Sequence, residues 1–152
     1  FIYGNCKGNR YPFRSRILNL LKKLKSNYNI LFWNDLMSKN YFKFNDKISN
    51  ENLSKKINQS WLTVCTKSHG DALLGKYMET SMSASCVLGN MATDGSNIWK
   101  NNYINITEDM TDEEIINNIK SSLNNKEELQ QKIDVMKKKM KIFYLRLIHL
   151  KQ

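Results

Sequence analysis

The sequence is poor in the residues that mark several specialised classes of protein. It has one proline and six glycines among 152 residues, and no low-complexity linker or internal repeat. No apolar stretch approaches the roughly 18 residues of a membrane-spanning helix. The three cysteines lack metal-ligand spacing, and Cys65 and Cys86 lie in apolar runs. We therefore expect buried free thiols in a reducing, cytoplasmic compartment, and neither a disulfide scaffold nor a metal site.

The composition is that of one globular domain with an excess of positive charge. Hydrophobic residues make up 41% and charged residues 25% of the chain, and the net charge is +10. Residues 1–60 hold 12 basic and 3 acidic groups, which could bind phosphates, acidic lipid or nucleic acid. Only four of the 24 basic residues are arginine and no nucleic-acid-binding motif is present, so nucleic-acid binding is an alternative hypothesis. The chain begins with Phe1 and not with a methionine or a secretory signal, and we interpret it as a piece of a longer protein.

Short apolar runs alternate with helical patterns along the chain. The runs at 1–3, 30–33, 61–65, 86–88 and 103–106 are bounded by Gly, Asn, Asp, Ser or Thr, as strands are. Apolar spacing predicts helices from residue 13 to 24, from 50 to 59 and from 72 to 84, and a capping box at Thr111 and Glu114 starts another. This alternation predicts an α/β fold, a Rossmann-like parallel sheet flanked by helices.

A long C-terminal helix is predicted to begin near Lys126. Its apolar residues alternate steps of four and three over three heptads, and from Ile142 to Leu150 it is apolar nearly all round. We therefore divide the chain into a Rossmann-like domain over 1–125 and a helix over 126–152. The helix is expected to pack on this domain, with its apolar end against something more than the domain's own sheet, and the seam could also form a homodimer.

The segment from Thr66 to Glu79 is the most informative stretch for chemistry. It follows a strand and opens a helix, where ligands sit in open α/β sheets. Lys67 and Lys76 near a helix start suit phosphate oxygens, and a carboxylate at Glu79 can accept from both hydroxyls of a ribose. Asp71 and Glu79 are predicted to lie on roughly one face, about 12 Å apart along the helix axis. That spacing is too wide for a paired acid and base and suits two ends of one extended ligand.

At this point the sequence resembles a known family. Residues 76–79 read K-Y-M-E and precede S-A-S-C-V-L-G at 83–89. This block resembles the "K-Y-F-E … A-x-G-x-x-x-x-G" of group-1 glycosyltransferases with the GT-B fold. The separation of Asp71 and Glu79 is similar to the acidic-x7-Glu motif of the same family.

Further similarities follow in the family's order over residues 1–122. Residues 58–61 (N-Q-S-W) resemble "L-N-x-S-K", and 11–16 (Y-P-F-R-S-R) resemble the "Y-P-L-R-x-R" of the CgeB-like branch. Residues 107–114 (T-E-D-M-T-D-E-E) are similar to "D-M-S-D-E-E-I". The chain departs from the family where Asp71 replaces Glu, where Ser85 replaces Gly, and where residues 32–35 replace His-Pro-Gly-Tyr.

The resemblance implies the C-terminal, donor-binding half of a hexosyltransferase. Such an enzyme moves a sugar from a nucleoside diphosphate sugar to a hydroxyl of a glycan, lipid or protein, with no metal or other cofactor. The N-terminal GT-B domain that carries the acceptor site would be missing from this chain, so the fragment alone would have little activity. A catalytically inactive scaffold domain is the second alternative.

The resemblance also assigns roles to individual residues. Asp71 and Glu79 are the implied catalytic residues, with Asp71 near the sugar and Glu79 on the ribose. Arg14 and Lys76 would face the diphosphate, whose leaving-group charge needs neutralising. The remaining implied nucleotide-sugar ligands are Arg16, Lys67, Ser68, His69, Gly70 and Tyr77.

Overall fold

Helices and parallel β-structure alternate in the computed structural model, which describes residues 1–4, 11–32, 50–68 and 70–149. The helices are α1 (Pro12–Leu24), α2 (Asn50–Asn58), α3 (Gly75–Met82), α4 (Ser96–Trp99), α5 (Asp112–Asn124) and α6 (Lys126–His149). The strands are β1 (Leu62–Val64), β2 (Cys86–Gly89) and β3 (Ile104–Asn105), and a short 3₁₀ turn spans Thr93–Gly95. The expected α/β class with a parallel sheet and a long C-terminal helix is confirmed.

The sheet is parallel throughout, and its strand order reverses once. β1 pairs with β2, and β2 with β3. On the other side of β1, Ile2 forms parallel bridges to both Val64 and Phe32. The five extended segments among the described residues therefore lie in the spatial order 31–32, 1–3, β1, β2, β3. From residues 1–3 the next segment in the chain, 31–32, lies on one side, whereas β1, β2 and β3 follow on the other side. The strand order therefore reverses between residues 1–3 and β1.

Helices cover both faces of the sheet, because successive side chains of a strand point to opposite faces and here both faces are apolar. Ile2, Val64 and Leu88 point to one face, where α1, α5 and the start of α6 complete the largest core cluster. Val87 and Cys65 point to the other face and pack with Tyr77 of α3, Trp99 of α4 and the middle of α6. Cys65 and Cys86 are both buried free thiols, as the sequence predicts.

Two helix starts follow from local sequence. Pro12 occupies the first turn of α1, where a missing N–H costs nothing. At α5, the Thr111 hydroxyl accepts from the Glu114 N–H at 3.2 Å, and the Glu114 carboxylate accepts from the Thr111 N–H at 2.7 Å. The predicted capping box is confirmed.

The start of α3 differs from the sequence-based prediction. We expected a helix from residue 72 to 84, but α3 begins at Gly75 and its N-cap is Leu74 in an extended conformation. Asp71 lies before the helix with φ +56°, a left-handed conformation that Asp adopts more readily than most residues. The expectation that Asp71 and Glu79 share one face of this helix is therefore wrong, and Asp71 is not the N-cap.

Helix α6 packs on the domain over its first four turns. Leu129, Ile133, Met136 and Met140 are buried, the first two in one core cluster and the last two in the other. Beyond Met140 the side chains up to Arg146 are exposed. None of the described helices combines the length and apolar character needed to cross a membrane.

Candidate functional site

The candidate site lies at the carboxyl edge of the sheet, where the strand order reverses. Residues 1–3 and β1 are neighbours there, and the chain leaves them through Gly4 and through Cys65 to Ser68. Ligands of open α/β sheets bind in the crevice at such a reversal, because the two connections diverge to opposite faces. Most of the residues that the sequence predicts as ligands are on these two connections or on α1 and α3 beside them.

A cavity of about 230 Å³ opens at this edge. Arg14, Thr66, Lys67, Ser68, Asn90 and Glu108 supply its polar lining, and residues 11–13 complete it. The volume lies below the 300–1,000 Å³ of typical small-molecule pockets, so the cavity fits one polar part of a larger ligand.

Arg14 is the buried cation of this cavity. It is only 3% exposed, because α1 directs it into the space between the helix and β1. Its Nε donates to the Thr66 Oγ1 at 3.1 Å, and its guanidinium lies over the Tyr11 ring, 4.3 Å from the centroid. Both contacts fix the plane of the guanidinium, so its fork is oriented before any ligand arrives.

Gly4 brings a second cation to the same place. Its φ of +89° turns the chain sharply after the first extended segment. A Cβ at Gly4 would lie 2.9 Å from Lys76 Nζ and 3.5 Å from Arg14 Nη1. The ammonium of Lys76 also donates to the Tyr3 carbonyl and lies 3.9 Å from the centroid of the Tyr3 ring. Two cations from different helices therefore converge where glycine leaves room.

Glu79 lies beside this pair, held by Tyr3. The Tyr3 hydroxyl donates to Glu79 Oε2 at 2.9 Å. Burial raises the pKa of the Tyr3 phenol, and the neighbouring thiol of Cys65 and the Glu79 carboxylate raise it further. Tyr3 therefore stays protonated and keeps its donor directed at Glu79. The carboxylate has its position fixed next to Lys76, although it does not line the 230 Å³ cavity.

Asp71 is placed away from Glu79 and uses its carboxylate in other contacts. Lys67 Nζ lies 2.9 Å from Asp71 Oδ1, and both the N–H and the hydroxyl of Thr93 donate to Oδ2. The hydrogen bonds from Lys67 and Thr93 lower the pKa of Asp71 to about 2. The carboxylate is thus ionised and fixes the 67–71 turn to the loop after β2.

Two of the implied ligands are taken up by protein contacts. Arg16 donates to the Asp112 carboxylate and to the carbonyls of Glu108 and Met110, and so joins α1 to the start of α5. Tyr77 is fully buried and its hydroxyl donates to the Asn90 carbonyl at 2.6 Å. The structure does not bring either side chain to the cavity.

The 66–72 connection places its remaining residues differently. The backbone amide of Lys67 donates to Asn90 Oδ1 at 3.1 Å, and Ser68 Oγ accepts from the Ala72 N–H at 3.0 Å. Gly70 is exposed, and a Cβ there would meet nothing within 4 Å. His69, also an implied ligand, lies outside the described residues.

Three cavity residues were missed by the sequence reasoning. Asn90 Nδ2 donates to Glu108 Oε1 at 2.7 Å, and both residues line the same cavity as Arg14. Thr66 orients Arg14. All three lie within three residues after the end of a strand, so their position at the carboxyl edge was the available signal.

A larger cavity, of about 720 Å³, lies at the opposite, amino edge of the sheet. It is bounded by the C-terminal ends of α1 and α5 and by the residues that lead into the strands, with Trp61 and Lys126 among its lining. Size alone does not make it the functional site, because open α/β sheets bind ligands at the other edge.

Comparison with family models, with curated proteins and with solved structures gives no match to this chain. Among residues 1–4, 11–32, 50–68 and 70–149, no group of three His, Cys, Asp or Glu side chains is placed to hold a metal ion. The carboxyl edge of the sheet combines oriented cations, a carboxylate held by Tyr3 and a small polar cavity.

Proposed function

We propose that this chain is the nucleotide-sugar donor-binding domain of a glycosyltransferase with the GT-B fold, built on a Rossmann-like sheet. The observation that carries the proposal is the convergence of Arg14 and Lys76 beside Gly4, at the reversal in strand order. Two fixed cations at this position suit the charge of a diphosphate better than that of a neutral ligand. The motifs of residues 76–89 support the same assignment.

The arrangement divides the donor into parts. The diphosphate would bind Arg14 and Lys76, with one phosphate in the cavity against the backbone of Thr66 to Ser68. The ribose would bind Glu79, which lies next to Lys76 and is already oriented by Tyr3. Asp71 and Lys67 form one ion pair, so their role is to shape the loop that faces the sugar.

The reaction would transfer a hexose from a nucleoside diphosphate sugar to a hydroxyl of a glycan, lipid or protein. The bond from the anomeric carbon to the diphosphate breaks, and the departing diphosphate gains negative charge. Arg14 and Lys76 would stabilise that charge, which is the task that a metal ion performs in other transferases. The acceptor and its base would belong to a second, N-terminal GT-B domain, so the chain alone would bind the donor and transfer little sugar.

The test is a titration with UDP, GDP, CDP and ADP, followed by thermal shift and calorimetry. A ligand at 100 times its dissociation constant stabilises the native state by about 2.7 kcal/mol. For a domain of this size that corresponds to a melting shift of roughly 5–10 °C. We expect one nucleotide to give such a shift, and Glu79→Gln to reduce it. Glu113→Gln removes an exposed carboxylate on α5 and serves as the matched control.

Two other results would overturn the proposal. If neither the four nucleotides nor inorganic pyrophosphate shifts the melting temperature, the domain is a scaffold without donor binding. If DNA or RNA binds instead, with an affinity that falls steeply as salt rises, the basic residues serve nucleic acid.

A further inference from the structure

The C-terminal end of α6 exposes apolar side chains on every side of the helix. Ile142, Phe143, Tyr144 and Leu145 are 44%, 40%, 54% and 47% exposed. Successive residues of an α-helix are about 100° apart, so four consecutive positions surround the axis. Among the side chains whose burial is described, Met140 is the last one of α6 that is buried. We call residues 142–146 the helix tip.

The same end of the chain is strongly basic. Residues 135–149 contain five basic side chains and no acidic one: Lys137, Lys138, Lys139, Lys141 and Arg146. None of the ion pairs between described residues includes any of these five. Four of them precede the helix tip directly and form a positively charged collar around α6.

We propose that the helix tip inserts into the interface of an anionic lipid surface. A helix end that is apolar on all sides needs surroundings that cover it on all sides, and lipid around an inserted end does so. Anionic headgroups match the collar, and each basic residue near such a surface strengthens binding about fivefold. Tyr144 and Arg146 are long enough to keep their polar ends among the headgroups.

The length of the exposed end agrees with this geometry. Residues 142–146 rise about 7 Å along the helix axis, within the 5–10 Å depth of interfacial helices. In this arrangement the chain lies on the membrane surface with the helix tip inserted.

The experiment is sedimentation with vesicles of phosphatidylcholine alone or with about 30% phosphatidylserine, at salt from about 0.05 to about 0.5 M. We expect binding to the anionic vesicles only, weakening as salt rises. The variant Lys137→Gln/Lys138→Gln/Lys141→Gln should weaken it about a hundredfold, at fivefold per residue. The control variant Lys22→Gln/Lys23→Gln/Lys100→Gln changes the net charge equally at exposed positions elsewhere and should bind as wild type.

The apolar part of the proposal needs its own variant. Ile142→Ser/Leu145→Ser should lower binding more than tenfold with unchanged circular dichroism, since both side chains are exposed in the domain. Three results would overturn the proposal: no sedimentation with anionic vesicles at low salt, binding that both Gln variants weaken equally, or binding that the Ser variant leaves intact. A dimer in sedimentation velocity that dissociates in the Ser variant, without vesicle binding, would also overturn it and assign the tip to a second copy of the chain.

Discussion

Replacing Gly89 by alanine should strongly destabilise the sheet at the candidate site. Gly89 ends β2, and a Cβ built on it would lie 1.6 Å from the Cys65 carbonyl oxygen and 2.8 Å from the Cys65 carbonyl carbon. Atoms at such positions do not approach closer than about 3 Å. The obstacle is backbone, so no side-chain rotation can remove it, and β1 and β2 have to separate.

The size of the effect follows from the hydrogen bonds beside Gly89. The Cys65 N–H donates to the Leu88 carbonyl at 2.9 Å, and the Ile106 N–H donates to the Gly89 carbonyl at 3.2 Å. Separating β1 from β2 lengthens the first bond, and the displaced Gly89 carbonyl distorts the second, in a buried part of the sheet where each orphaned group costs about 1–3 kcal/mol. We expect a loss of roughly 3–5 kcal/mol out of the 5–15 kcal/mol that typically stabilise a domain. The melting temperature should fall by roughly 6–20 °C.

Two other glycines supply the controls for urea unfolding and thermal melts. Gly70 has nothing within 4 Å of the added Cβ, so Gly70→Ala should be neutral. Gly75 begins α3 and would meet only Glu79 Oε1 at 3.9 Å, so Gly75→Ala should be neutral or stabilising by up to about 1 kcal/mol. A Gly89→Ala protein as stable as Gly70→Ala would refute the reasoning.

Three further predictions concern polar groups around the sheet. The buried hydroxyls of Thr63 and Ser85 are 2.8 Å apart, so Ser85→Ala should lower the free energy of unfolding by about 1–3 kcal/mol. In urea unfolding, the double variant Ser85→Ala/Thr63→Val should lose less stability than the sum of the two single variants. The pKa of Asp71 is lowered from 3.8 to about 2, so its stabilising contribution is complete above pH 4 and lost as pH falls towards 2. Acid melts of Asp71→Asn should therefore converge with wild type over that interval. Arg16→Lys should cost about 1–2 kcal/mol by chemical denaturation, because one ammonium cannot reproduce three directed contacts. If Arg16→Lys loses no more stability than Lys22→Gln, this prediction is wrong.

Most of the fold could be predicted from the sequence because its signals are local. Each apolar run bounded by turn residues became an extended segment of the parallel sheet, and the capping box fixed the start of α5. The start of α3 could not be predicted, because Asp71 is a good N-cap by residue type. Its carboxylate instead accepts from Thr93, which is 22 residues away and is brought close only by the packed sheet.

The location of the candidate site could be predicted from the sequence, but the contacts of its side chains could be predicted only in part. Residue types that suit phosphate follow β1 in the sequence, and the structure gathers Arg14, Lys67 and Ser68 around one cavity. Arg16 and Arg14 look equivalent in sequence, two positions apart on α1. Because helix positions two apart point to different sides, one reaches the buried space beside β1 and the other reaches α5. Tertiary packing alone decides which of the two arginines lines the cavity.

The hydrogen bond from Tyr3 to Glu79 must leave the carboxylate able to bind the ribose of the proposed donor. Tyr3 donates to Oε2, and a carboxylate offers about four acceptor positions, so Glu79 can still accept from both ribose hydroxyls. The role of Tyr3 is then to hold the carboxylate in position before the donor arrives, which lowers the ordering cost of binding. We expect Tyr3→Phe to weaken binding of the nucleotide by about 1 kcal/mol, or roughly fivefold. The variant should also show a smaller preference for the ribonucleotide over its 2′-deoxy form. Calorimetry with both nucleotides measures this. An unchanged preference in Tyr3→Phe, together with a lost preference in Glu79→Gln, would mean that Glu79 binds the ribose without needing Tyr3 to orient it.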